Sequence, residues 1–140
     1  QSLSEHFATG VKLLKFKRAG TDRLLSKAGV SFSPSTTDYW KMVKLSHGLP
    51  AIIRDGTKDF RSEKGRAPRT WAEFYAFTKS DDWRPGGVLA KFPKARLNRV
   101  LDNAENIGNF AASGLSGLSG IAPVTILVVA ALVYALVVAA

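Results

Sequence analysis

The sequence contains no cysteine, which excludes a disulfide scaffold and a thiolate metal site. Its two histidines, His6 and His47, lie far apart with no HExxH pattern, so the usual histidine metal motif is missing too. No GxGxxG, GxxxxGK[ST] or GxSxG is present, so nucleotide binding and hydrolase chemistry lack their customary loops. Charge is absent from one end of the chain. Every Lys, Arg, Asp and Glu lies at or before Glu105, and the last 35 residues carry none. The carboxylate pair Asp81-Asp82 reads as a solvated turn beside Trp83, because adjacent residues do not readily converge on one substrate. No catalytic constellation remains, and the reading is that of a protein that is not an enzyme.

What the chain does have is positive charge and a long apolar end. Twenty Lys and Arg stand against 11 Asp and Glu, for a net charge of +9 over 140 residues. Residues 121 to 140, IAPVTILVVAALVYALVVAA, contain only the Thr125 and Tyr134 hydroxyls as polar side chains. At about 1.5 Å per residue they make roughly 30 Å of helix, the thickness of a bilayer core. The expected fold class is therefore a mainly α membrane protein: short helices and extended loops in a basic N-terminal segment, then one C-terminal transmembrane helix. Pro123 suits the first turn of that helix. Ala131, Ala135 and Ala139 recur every four residues and form a candidate helix-packing face, although an alanine-rich helix aligns such residues by chance as well.

Three parts follow from this: a basic peripheral segment over 1 to 110, a Gly/Ser neck over 111 to 120, and the span over 121 to 140. In the neck, Gly114, Gly117 and Gly120 disfavour helix. In the basic segment, Ser2 with Glu5 forms a capping-box pattern ahead of Leu3, Phe7, Val11 and Leu14. Helices are expected over 22 to 28, capped by Thr21 and stopped by Gly29, and over 38 to 47, capped by Thr37 and closed by Gly48 and Pro50. Residues 50 to 60 are ambiguous because Gly56 interrupts them. Thr70 with Glu73 opens a short aromatic helix, and residues 93 to 107 set Leu97, Val100, Leu101, Ala104 and Ile107 on one face, as in a helix lying on a bilayer surface. The breakers GLP, GRAP and RPGG between these pieces predict short helices and long loops draped over a larger partner.

The functional expectation is a small accessory or linker subunit that stabilises or bridges components of a large integral-membrane complex. A thylakoid photosystem-antenna assembly is favoured, with the inner mitochondrial membrane and its respiratory complexes second. A tail-anchored adaptor or tether for soluble partners is the reading from another class. The charge asymmetry places the N-terminal segment on the stromal, matrix or cytosolic side, and Gln1 in place of Met fits a removed targeting segment or a truncated chain. Expected partners are integral-membrane subunits in a hetero-oligomer and anionic lipid head groups, the latter met by Lys94, Arg96 and Arg99. Nucleic acid is not expected. Trp71, Phe74, Tyr75, Phe77 and Trp83 are partner-contact candidates, with a local hydrophobic cluster as the alternative. No cofactor is required. Chlorophyll, carotenoid or lipid are compatible with this setting but not legible in the sequence, and His47 is the candidate axial ligand of a tetrapyrrole metal.

Overall fold

A computed structural model describes residues 18–34, 36–116 and 135 of the chain. The first helical stretch, α1, covers residues 18–28 and ends where Gly29 takes a left-handed φ of 74°. Gly29 N–H then donates to the Ser26 carbonyl at 3.1 Å and Val30 N–H to the Leu25 carbonyl at 2.9 Å, closing the orphan carbonyls of the last turn. Thr21 does not cap this helix. It lies inside it, and its hydroxyl meets the Ser46 hydroxyl at 2.6 Å.

Helix α2 spans Thr37–Gly48, and its cap is Thr36, one residue earlier than the pattern suggested, whose Oγ1 accepts from Tyr39 N–H at 3.4 Å. One residue, Leu49, separates it from α3, Pro50–Lys64. Pro50 reads in the sequence as a terminator of the preceding helix, yet it occupies the first turn of the next one, where a missing N–H costs nothing. Gly56 does not interrupt α3 either. It is buried, and a Cβ there would stand 2.8 Å from Thr78 Cγ2 and 2.9 Å from Phe74 Cε2, so glycine is what lets α3 approach α4.

Helix α4 covers Trp71–Lys79 and is capped by Thr70, whose Oγ1 accepts from Glu73 N–H at 3.2 Å. A short 3-10 turn, Gly87–Lys91, precedes α5, Lys94–Ser116. Helix α5 runs through the first six residues of the glycine-serine stretch. Helix α2 is the centre of the fold: Tyr39 through Leu45 are all buried, and α2 packs most extensively on α5 and then on α3. One apolar cluster joins Leu25 and Val30, Met42 and Val43, Ile52 and Ile53, Trp71 and Phe74, Trp83 and Leu89, and Leu97, Leu101 and Ala104. Burial of each such side chain is worth about 1.5–3 kcal/mol, so the described helices share a core of their own.

The expected fold class is corrected in two respects. The helices are not draped pieces. GLP, GRAP and RPGG lie in the connections between helices that share one core, and Pro68 and Pro85 are themselves buried. The apolar face of residues 93 to 107 meets α2 instead of a bilayer. The second correction concerns the transmembrane helix: among the described residues, no helix is long and apolar enough to cross a membrane. The long helix α5 carries Lys94, Arg96, Arg99, Asp102 and Glu105 along its length, which forbids that role. Residues 121 to 140 lie outside the described residues apart from Ala135, as does the capping-box segment at Ser2.

Candidate binding surface

The fold directs charge unevenly, because it engages many carboxylates internally. Asp22 accepts from the Tyr39 hydroxyl at 2.6 Å, Asp38 from Trp71 N–H at 3.2 Å, and Asp59 from Trp83 Nε1 at 2.9 Å. Glu73 receives both terminal nitrogens of Arg66, at 2.8 and 3.3 Å, and these bonds hold its carboxyl below the usual range. Asp102 takes the Lys79 ammonium at 2.6 Å together with the Tyr75 hydroxyl. Glu105 pairs with Lys41 at 3.2 Å and accepts from Trp71 Nε1. The cations are far less engaged, so the outer surface is more basic than the composition alone implies.

Two clefts gather these cations. Between α1 and α3, Lys27, Arg54, Lys58 and Arg61 line a cleft of about 580 Å³ with Leu24, Ala28, Thr57 and Ser62, and no carboxylate lines it. Arg54, Lys58 and Arg61 fall at helical spacing, so α3 presents them as one stripe. Arg61 also fixes the site, since its guanidinium donates to the Ala28 carbonyl at 2.6 Å and ties α3 to the end of α1. On its other flank the stripe borders a smaller hollow lined by Asp55, Asp59, Gly86, Gly87 and Val88. Val88 is 71% exposed, the one large hydrophobic residue so presented among the described residues. The second cleft, of about 420 Å³, lies between α2 and α5 and is lined by Lys44, Gly48, Arg96, Arg99, Val100 and Asn103.

The residues singled out in the sequence are dispersed by the fold. Trp71, Phe74 and Trp83 are core residues, because α4 and the loop after it fold onto α3, while Tyr75 and Phe77 are half-buried. These rings fall into two groups: Trp71 contacts Phe74 and Tyr75 at 5.7 and 5.8 Å between centroids, and Phe77 contacts Trp83 at 6.4 Å. Their contact area is turned inward. Lys94 also points inward, donating to the Thr78 carbonyl and lying 4.8 Å from the centre of the Trp83 ring, and burial lowers its pKa. Arg96 and Arg99 remain outside and line the second cleft, Arg96 stacked 4.9 Å over Phe92. His47 is exposed in the last turn of α2. Among the described residues no three His, Asp or Glu side chains converge as metal ligands would. Ala135 is helical and exposed, and Ala131 and Ala139 lie outside the described residues.

Sequence reasoning did not find the α3 stripe. Its signal, cations at 54, 58 and 61, lies in a segment where Gly56 obscured the helical period. No family model, curated protein or solved structure matches the chain. A thylakoid, photosystem or other single-pass membrane setting therefore has no support among them. That localisation rested on a membrane-crossing helix, and among the described residues there is none.

Proposed function

We propose that the chain is a non-catalytic accessory subunit that links components of a larger assembly, docking on acidic protein surfaces through the cationic stripe of α3. The observation that carries this reading is the cleft of Lys27, Arg54, Lys58 and Arg61, in which four cations meet with no lining carboxylate and only Arg54 among them pairs with an acid, Asp55 at 3.2 Å on the flank. Such a surface steers and orients an acidic partner by electrostatic complementarity. Asp55 and Asp59 beside the stripe, with exposed Val88, make the surface mixed in sign and locally apolar. A patterned protein face complements that mixture, whereas a uniformly negative phosphate backbone would meet the two carboxylates unfavourably. The burial or half-burial of the described aromatic rings also leaves less ring face for stacking bases, which favours a protein partner.

Charge reversal tests the proposal. Lys27 and Lys58 are exposed and make no described hydrogen bond, so the double variant Lys27→Glu/Lys58→Glu should fold. It should lose a protein partner that the parent retains at low salt, while Lys91→Glu, an equally exposed change outside the clefts, retains it. Retention by the double variant, or release by nuclease treatment, would count against docking on protein.

A further inference from the structure

We propose that the cleft between α2 and α5 is a binding site for a phosphate monoester dianion. This inference goes beyond the docking reading, since the two clefts share no residue. Its centre is Lys44, which is only 9% exposed. Helix α2 buries two lysines three residues apart. Lys41, 7% exposed, is paired with Glu105 at 3.2 Å, but among the described residues nothing accepts from or pairs with Lys44. Burial accordingly depresses the Lys44 pKa. A partly desolvated ammonium with no counterion among the described residues is disfavoured in its charged form, and a bound anion would relieve that.

The other lining groups deepen the same imbalance. Arg96 and Arg99 join Lys44, and no carboxylate lines the cleft. Helix α5 has no acidic residue in its first turn, although the positive end of a helix dipole favours acids there and disfavours Lys94 and the arginines that follow. An anion held in the cleft satisfies these cations. Three cations call for more than the single charge of a carboxylate. A tetrahedral dianion offers acceptors for two guanidinium forks and an ammonium at once, which is the geometry arginine recognises best. The cleft, at about 420 Å³, is larger than a lone phosphate requires, and Val100 and Gly48 leave a wall for the group that carries it.

The full chain is titrated with inorganic phosphate at pH 8 and constant ionic strength, with chloride as the balancing anion. A saturable rise in unfolding temperature is expected, with amide shifts concentrated at Lys44, Gly48, Arg99 and Asn103. Lys44→Met should bind phosphate at least tenfold more weakly and yet unfold at a higher temperature than the parent in chloride alone. Arg99→Ala should weaken binding several-fold with no change in that baseline, and it decides the matter if the core variant fails to fold. Equal stabilisation of parent and variants by phosphate, or shifts centred on Lys27 and Lys58, would overturn the site. Two further arms identify the carrier: tighter binding of a phosphoserine peptide assigns it to a protein, and tighter binding of a sugar phosphate assigns it to a small molecule. Stronger competition by a diester oligonucleotide than by either would overturn the monoester assignment.

Discussion

Tyr39 shows how a single side chain joins two distant parts of the chain. Its ring is 1% exposed and packs edge-on against Trp40 at 5.7 Å, while its hydroxyl donates to Asp22 at 2.6 Å and accepts from Arg18 Nε at 2.9 Å. The Arg18 guanidinium also stands 4.9 Å from the ring centre. Burial, and then the hydrogen bond to Asp22, push the phenol up to about 12. A raised folded pKa stabilises the fold in full below the unfolded value of about 10, and that contribution is lost as pH rises toward 12. Tyr39→Phe should therefore lose about 1–3 kcal/mol in urea unfolding at neutral pH, the cost of leaving buried partners unpaired. Its stability should also decline less steeply than the parent's between pH 10 and 12. Nothing in the sequence identified Tyr39, because its partners are 17 and 21 positions away and no local period links them.

Between elements, the seam of α2 with α5 is close because of Gly108. A Cβ at this position would lie 2.9 Å from the Lys41 backbone nitrogen and 3.0 Å from its Cα, atoms that move only with the helix. Gly108→Ala should cost about 1–3 kcal/mol by overpacking, despite the better helix propensity of alanine. Gly20→Ala, in helical α1 with nothing among the described residues within 4 Å of the added Cβ, should instead be neutral or stabilising in the same denaturation assay. Glu105 fastens this seam from α5 through Lys41, and Asp102 ties α5 to Lys79 and Tyr75 of α4. Hydrogen bonds from Lys79 and then Tyr75 lower the Asp102 pKa. Burial raises that of Glu105, but hydrogen bonds from Lys41 and Trp71 outweigh it and leave the pKa lowered. Depressed folded values stabilise the fold above the unfolded carboxyl range and lose that effect as pH falls through the folded values. Stability should drop below about pH 4, and Asp102→Asn should shallow that drop in an acid titration followed by circular dichroism. The sequence shows the apolar stripe of α5 and the cap at Thr70, since both are local patterns. It does not show that the stripe faces α2, because a period states which side is buried and not what covers it. The α2/α5 cleft was half legible for the same reason: Arg96 and Arg99 stood out as surface cations, but Lys44 lies in the run Tyr39 to Leu45, which is buried throughout and shows no period.

For the molecule as a whole, the question is whether the described helices hold together without a partner. The segmentation by Gly and Pro argues for dependence, since isolated helices below about 12–15 residues are marginal in water, and α4 has nine residues. The contacts argue the opposite. Core residues from α1 through α5 form one cluster, and several polar ties bridge elements far apart in sequence: Asp38 to Trp71, Asp59 to Trp83, Arg61 to Ala28, Lys41 to Glu105. Breakers look like dividers in a linear reading because a sequence pattern does not reveal that Leu49 alone suffices to join α2 to α3. The core is opposed by the charge it carries, since residues 18–116 hold 17 Lys and Arg against 10 Asp and Glu, and that excess repels itself. Residues 18–116 expressed alone should therefore unfold in one cooperative thermal transition and give a well-dispersed amide spectrum. The midpoint should rise as salt shortens the Debye length to about 10 Å at 0.1 M and damps the repulsion among Lys27, Arg54 and Lys58. A weakly helical fragment with a narrow spectrum would show that the shared core is insufficient, and that the ordering of these helices comes from the partner they dock on.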